Sequence, residues 1–468
     1  MTSPWMWIQL AAMLNFIVAP ASSSAETLQE ALAAAYRSSP ILQNARFQQQ
    51  SLDETIIQAR AGLRPTASLS AQALYDRQPN AGALSQSVGA SHTAEVSLVV
   101  AQPLFTGGRT TWAVRAAEAS VDAGREDLRA VEASVLFSVI QSYLDVLRDQ
   151  QTLVIREADL NTLERQFRES SAKFSLGKVT RTDVAQAQAQ LEAARAALTM
   201  AQAQLEISRA AYAAAVGAEP GALTDPQSLP HLPATLDEAF DLADISNPLL
   251  LQSRLKEKAS RAQIAEARAA YRPTVALQGS YGALGPLSPY VSRDYGVAAS
   301  AALMFNLPLL TGGVTASQLR QATAQNGGDR VSIETVHRQV VQGVAQAWNQ
   351  VVSGRASVKA GEAQVKAAET ALDGAQAEYG FGLRTTLDVL ISDENLRLAQ
   401  LSLVQSRHDA FLAEASLLQV SGRLALANLL PDPIRETVSA SPQSVKTSGS
   451  TPWDSLVETV DKLAAPAR

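Results

Sequence analysis

Two tandem copies of one pattern predict a mainly α-helical chain. Its long helices form antiparallel coiled coils, and four β-strands of bilayer-crossing length lie between them. Three observations carry this reading. First, one turn occurs twice, as Lys173-Phe-Ser-Leu-Gly-Lys-Val-Thr-Arg-Thr-Asp-Val184 and as Tyr379-Gly-Phe-Gly-Leu-Arg-Thr-Thr-Leu-Asp-Val-Leu390. Gly177 and Gly382, Asp183 and Asp388, and Val184 and Val389 are each 205 positions apart. Second, apolar and small residues follow a 3-4-3-4 spacing on both sides of the turns. Third, each copy carries two segments in which apolar and polar residues strictly alternate.

Composition supports long, closely packed helices over a wide core. Apolar residues make up 46% of the 468-residue chain but aromatics only 5%, and alanine and glutamine are heavily used. The formal net charge of -6 gives no basic face for nucleic acid. Cysteine is absent, which excludes disulfides, thiolate metal ligands, cysteine nucleophiles and lipid attachment through cysteine. The four histidines (His92, His231, His337, His408) show no metal-ligand spacing. No metal or cofactor is expected.

Residues 1–25 carry no charge, and Trp5 to Val18 is mostly apolar. Ser23-Ser-Ala25 is a small-residue cleavage pattern before Glu26, so 1–25 reads as a secretory signal peptide although its first residues lack Lys and Arg. The competing reading, a membrane helix, is opposed by the shortness of the run and by Asn15 and Pro20 within it.

Repeat 1 covers 26–217 and repeat 2 covers 236–430, joined by a Pro-rich linker at 218–235. Leu28-Gln-Glu-Ala-Leu32 matches Leu236-Asp-Glu-Ala-Phe240, Ser39-Pro40 matches Asn247-Pro248, and Arg64-Pro65-Thr66 matches Arg272-Pro273-Thr274, all 208 positions apart. Pro103-Leu-Phe-Thr-Gly-Gly108 then matches Pro308-Leu-Leu-Thr-Gly-Gly313 at an offset of 205, so three extra residues, expected in a loop, lie between these markers in repeat 1. Each repeat opens with a helical pattern (27–62, 236–270). Two strands follow (66–76 and 93–103; 274–282 and 294–306). A long helix (110–174, 315–379) then runs to the turn, and a last helix (182–216, 386–421) ends at Gly217 or Gly422.

After the first turn the spaced positions are Val184, Ala187, Leu191, Ala194, Leu198, Ala201, Leu205, Ser208, Tyr212 and Ala215. After the second they run from Val389 through Leu396, Ala399 and Leu403 to Val420. Val114, Ala117, Val121, Gly124, Leu128, Val131 and Val135 continue the rule on a long helix. A heptad sustained this far means coiled-coil packing, with small residues allowing close approach. On the helices alone, a soluble coiled-coil scaffold without a pore fits best.

The alternating segments tip the balance. Ala67, Leu69, Ala71, Ala73 and Tyr75 share one face, with Thr66, Ser68, Ser70 and Gln72 on the other. Ala94, Val96, Leu98 and Val100 repeat this, as do Val275, Leu277, Gly279 and Tyr281, and then Tyr295 through Phe305. Segments of about ten residues cross a bilayer as tilted strands. Four strands cannot close a barrel, and lipid does not tolerate open strand edges, so the chain must oligomerise. The segment 431–468 is polar and rich in Ser and Pro and is expected to be a flexible tail. Within it Trp453, Leu456, Val457, Val460 and Leu463 fit a short amphipathic helix. The Gly-Gly pairs precede helices as phosphate loops do, but no Lys-Ser/Thr follows them, and no HExxH or GxSxG occurs. No catalytic residue is expected.

The order and fixed spacing of these markers, twice over between about 26 and 430, resemble the TolC-like family of outer-membrane efflux and type I secretion channels. Its carriers are Asn247-Pro248, Arg272-Pro273-Thr274, the two Pro-Leu-x-Thr-Gly-Gly segments, Arg181-Thr-Asp-Val-Ala-Gln-Ala-Gln-Ala and Arg384-Thr-Thr-Leu-Asp-Val-Leu390. The turn wording looks most like the secretion-type branch. The resemblance implies a homotrimer in which four strands per chain complete a 12-stranded barrel in outer-membrane lipid. It also implies a periplasmic tunnel of helices. A periplasmic adaptor and an inner-membrane ABC or RND transporter would engage the closed tunnel tip. It further implies that Asp183, Tyr379 and Arg384 form the gate, that Asp388 rings the constriction, and that Leu176, Gly177, Gly382 and Leu383 meet the adaptor. A second aspartate that rings the constriction in the best-known member is Ile391 here. Read from the residues alone, Asp183 and Asp388 are ordinary helix-start residues, and Gly177 and Gly382 are ordinary turn glycines.

Overall fold

The computed structural model describes residues 26–79, 88–226, 228–286 and 295–430, together with Thr459 and Asp461. The signal peptide at 1–25, residues 80–87 and 287–294 of the strand-to-strand links and the amphipathic stretch from Trp453 to Leu463, apart from those two residues, lie outside the described residues. The elements run α1 (Leu28–Ser38), α2 (Pro40–Ala61), β1 (Thr66–Pro79), β2 (Val88–Phe105), α3 (Arg109–Ser175) and α4 (Arg181–Val216) in the first copy. The second copy repeats them as α5 (Leu236–Ser246), α6 (Pro248–Ala269), β3 (Thr274–Pro286), β4 (Gly296–Asn306), α7 (Val314–Gly380) and α8 (Thr386–Val420), followed by α9 (Leu426–Leu429).

The opening helix of each copy is two helices, not the single stretch expected over 27–62 and 236–270. Pro40 and Pro248 sit at the first helical position of α2 and α6, where a missing N–H costs nothing, and each forces the residue before it out of helix. Those preceding residues become caps. Ser39 accepts from the Leu42 amide at 3.4 Å, and Asn247 Oδ1 accepts from the amides of Leu249 and Leu250 at 3.0 and 3.1 Å. The same breaks also tie down the far ends of other helices. Ser38 donates to the Val216 carbonyl at the end of α4, and Asn247 Nδ2 donates to the Val420 carbonyl at the end of α8, both at 2.7 Å.

At ~1.5 Å per residue, the 67-residue helices α3 and α7 are each roughly 100 Å long. The shorter helices stack along them. Gly124 of α3 lets α2 approach, because an added Cβ would run into Leu52. Farther along α3, Leu163 packs with Leu191 and Ala194 of α4 and Leu390 of α8. The spaced positions Ala187, Leu191, Ala194, Ala201, Leu205, Ser208 and Tyr212 of α4 are buried. The largest core lies midway, where Leu136, Val139, Ile140 and Tyr143 of α3 meet α1, the end of α4, linker residue Leu229, and α9. Tyr143 fixes the linker by donating to the Thr224 carbonyl at 2.7 Å.

The four strands form one antiparallel sheet in the order β1-β2-β3-β4, so the two copies meet at β2 and β3. Its register matches apolar faces: Leu69 lies opposite Leu98, Leu98 opposite Tyr281, and Leu277 opposite Leu303. On the other face Ser70 bonds Ser97 at 2.9 Å and Ser280 bonds Ser300 at 2.8 Å, hydroxyl to hydroxyl. β1, β2 and β3 run beyond the expected ends, because ladder pairing continues past the point where side-chain alternation stops. Pro103 lies inside β2 rather than at its end, and the register shifts between Pro103 and Phe105, as a residue without an N–H requires.

Candidate functional site

The candidate site is the pair of turns at the far end of α3 and α7. Both turns are built the same way. The Lys178 amide bonds the Lys173 carbonyl at 3.0 Å and the Gly177 amide bonds that of Phe174 at 2.9 Å. Leu383 and Gly382 repeat this on Glu378 and Tyr379, both at 2.9 Å. This is a Schellman closure, and its glycine must be left-handed. Gly177 has φ 70° and Gly382 φ 72°, with open space where a Cβ would point. The turns present Leu176, Phe381 and Leu383 to solvent at 70%, 83% and 76% exposure.

Each following helix starts with a reciprocal capping box. Thr180 donates its amide and hydroxyl to Asp183 Oδ2 at 2.8 and 2.9 Å, and the Asp183 amide returns to Thr180 Oγ1 at 3.3 Å. Thr385 and Asp388 repeat the pattern at 2.9, 2.8 and 3.2 Å. These bonds from Thr180 and Thr385, backbone first, hold both carboxyls below the usual aspartate range.

Within the chain, the three residues expected to act together have separate partners. Arg384 Nε donates to Glu378 at 2.7 Å, and this pairing raises its already high pKa. The Tyr379 hydroxyl accepts from Lys173 Nζ at 2.6 Å and from Thr386 Oγ1 at 3.3 Å. Lys173 also lies 4.5 Å from the Tyr379 ring centre. Among the described residues no hydrogen bond or ion pair joins Asp183 to Tyr379 or Arg384. The arrangement nevertheless leaves capacity. Both Thr180 bonds end on Oδ2 of Asp183, and the pairing of Arg384 with Glu378 uses only Nε. Asp183 Oδ1 and the terminal guanidinium nitrogens take no partner among the described residues.

Sequence reasoning missed Lys173 and Glu378 as partners, although both stand at or beside the repeated turn. It also missed a charged layer farther from the tip. Arg397 of α8 bonds Asp393 at 3.3 Å and lies 3.9 Å from Asp159 of α3. Burial, reinforced by Asp393, raises the Asp159 carboxyl above its ordinary range, and burial raises Asp393 against the pull of Arg397. No spacing could reveal this contact, since it joins the two copies across more than two hundred positions. Among the described residues, no group of three His, Cys, Asp or Glu is placed to hold a metal ion.

A family profile described as outer membrane efflux protein matches residues 28–218 and 239–423. The chain is 33% identical over 404 residues to the outer membrane efflux protein BepC of Brucella suis, covering 86% of this chain and 87% of that one. It is 26% identical over 442 residues to the outer membrane protein TolC of Escherichia coli, covering 90% and 88%. Its fold is like that of the outer membrane channel CmeC of Campylobacter jejuni, with a TM-score of 0.76, 16% identity and coverage of 89% and 90%.

Proposed function

The chain belongs to the outer membrane efflux protein family, and on that premise we propose that it forms a passive export duct, gated at the tips of its helices. Three copies close a 12-stranded barrel in the outer membrane, and their helices continue it as a periplasmic tunnel. Proteins or small molecules leave through it. A periplasmic adaptor docks on Leu176, Gly177, Gly382 and Leu383. An inner-membrane ABC or RND transporter supplies the energy.

The observation that carries this reading is the sheet. One face exposes Leu69, Tyr281, Val297, Leu303 and Phe305, and among the described residues both outer strands, β1 and β4, lack a neighbour on one side. A soluble scaffold would leave that apolar face and those edges in water, at risk of aggregation. A barrel closed with other copies covers both. The hydroxyl-bonded face, with Ser70, Ser97, Ser280 and Ser300, suits a water-filled bore.

At the tip, Asp183 Oδ1 and the terminal nitrogens of Arg384 are the groups left to pair between copies, with Tyr379 beside them. A carboxylate, a guanidinium and a phenol make charge-assisted bonds that hold a closed ring yet yield to a docking partner. Asp388 supplies a ring of negative charge at the constriction and favours cations. Because Asp183 also caps α4, its two roles must be separated. Asp183→Asn with Arg384→Ala keeps an acceptor for the cap and removes the ionic pair. Thr180→Ala removes the cap's hydroxyl and keeps the carboxylate. Single-channel recording should show a larger conductance in the first variant and an unchanged one in the second. An unchanged conductance in a well-folded first variant refutes the gate.

A further inference from the structure

The N-cap position of α3 supplies no side-chain cap. Gly108 stands at the N-cap with φ 83° and has no side chain to offer, so the turn's own contribution is the Thr106 hydroxyl, which accepts from the Thr110 amide at 3.2 Å. A second acceptor comes from the far end of the chain, and it gathers the turn and the N-cap amide rather than the first helical amides. Asp461 Oδ1 accepts from the Thr106 amide at 2.8 Å, the Thr106 hydroxyl at 2.9 Å and the Gly108 amide at 3.2 Å. Its Oδ2 accepts from the Thr111 hydroxyl at 2.7 Å. Asp461 is fully buried. Burial alone would raise its carboxyl, but the bonds from Thr106, Thr111 and Gly108 outweigh that and lower it. A buried carboxylate at a helix N-terminus, with four donors converging on it, is fully compensated. The flexible tail expected over 431–468 is thus held at Asp461, which lies within the stretch expected to form a short amphipathic helix.

The second copy carries the same turn without this partner. Gly313 is the N-cap of α7 with φ 85°, again with no side-chain cap. Thr106, Gly107, Gly108 and Thr110 have counterparts in Thr311, Gly312, Gly313 and Thr315, but the place of Thr111 is taken by Ala316. One of the four donors is thus missing there, and the seat is selective for copy one.

The other end of the tail is anchored too. Leu426, Leu429 and Leu430 are buried in the core with Leu136 and Ile140, and the Leu426 amide donates to Glu132 at 3.3 Å. Glu132 and Gly108 are separated by about 36 Å along α3. The residues between Leu430 and Asp461 can reach roughly 100 Å when extended, so the span is easily met.

We propose that the Thr106-Gly-Gly-Arg-Thr-Thr111 junction is a binding seat for the chain's own C-terminal segment, with Asp461 as the residue that seats it. The contact locks the point where β2 passes into α3, the boundary between barrel and tunnel. Among the described residues, the matching point of copy two, where β4 leads to α7, has no such lock. Each chain therefore has one pinned and one unpinned junction, and bending of the tunnel helices against the barrel concentrates at the unpinned one. The tail is bound by the chemistry of one carboxylate, so the seat also defines what competes with it: an acidic side chain or terminus presented on a peptide.

The lock is a contact within one chain and stands apart from how many chains assemble. Hydrogen exchange on the full-length protein tests it, with assembly followed by mass on the same sample. In Asp461→Ala the amides over 106–111 should exchange about tenfold faster or more, as loss of bonds to a charged acceptor implies. Those over 311–316 should not change. Thr111→Val, made on the seat side, should speed proteolytic trimming of the C-terminal segment, whereas Ala316→Val should not. Unchanged exchange at 106–111 in Asp461→Ala, at unchanged mass, overturns the proposal. So does equal trimming in the Thr111→Val and wild-type proteins. A changed mass with the exchange difference intact would instead count against the trimeric duct and leave the lock standing.

Discussion

At the scale of single residues, His408 shows how a polar contact can join the two copies. Its Nε2 lies 3.0 Å from Asp145 of α3 and its Nδ1 lies 2.9 Å from Asp409 of its own helix. Arg148 also bonds Asp145 and Asp149, and Asp149 is bonded by Ser208 of α4. Burial is the largest influence and pulls the histidine down. The bonds to Asp145 and Asp409 outweigh it, against opposition from Arg148, and the net effect is upward. A histidine whose folded pKa is raised stabilises fully below its unfolded value of about 6.5 and loses that contribution as pH rises through the folded value. Thermal unfolding should therefore show a stability loss on that alkaline side, absent in His408→Gln. A wild-type profile no steeper there than the variant's would refute the contribution. The sequence held no sign of this pair, because scattered histidines reveal nothing until the fold brings α8 to α3. Asp183 and Asp388 were legible as helix-start residues, and the structure adds Thr180 and Thr385 as their capping-box partners.

At the scale of elements, periodicity spoke where a face is buried against a near neighbour. The heptad of α4 is such a case, whereas the strands were legible through alternation alone, their apolar face being exposed within the chain. Extent was less legible. The long helical patterns concealed the breaks at Ser39-Pro40 and Asn247-Pro248, where a capping residue and a proline outweigh continuous apolar spacing. The contact between copies gives a further expectation. Val99 of β2 lies opposite Ser280 of β3. Carrying this pair through the repeat offsets places Met304 of β4 opposite Gln72 of β1 in the next copy, both on the polar face. The chain has no cysteine, so Met304→Cys with Gln72→Cys should form a disulfide between subunits. Met304→Cys with Ala73→Cys should not, because successive strand residues point to opposite faces of the sheet. Linkage of the second pair instead of the first would disprove this register.

At the scale of the whole molecule, the protein is an outer-membrane channel of the efflux family, with a mainly helical body and a small sheet. Its plan follows from duplication. Two helical hairpins of about 100 Å meet a sheet that is apolar on one face, polar on the other and unfinished at both edges. The tip was legible as a place, through the repeated glycine and aspartate. The contacts that would close it were not, because Asp183, Tyr379 and Arg384 each hold other partners within one chain. The proposed gate would thus close only between chains. The most direct test is the single-channel conductance, in planar bilayers, of protein extracted from outer membranes in mild detergent and shown to have the mass of three chains. A small, cation-preferring conductance that widens in Asp183→Asn with Arg384→Ala is expected. A folded protein of one or two chains that conducts nothing would contradict it and return the chain to a coiled-coil scaffold.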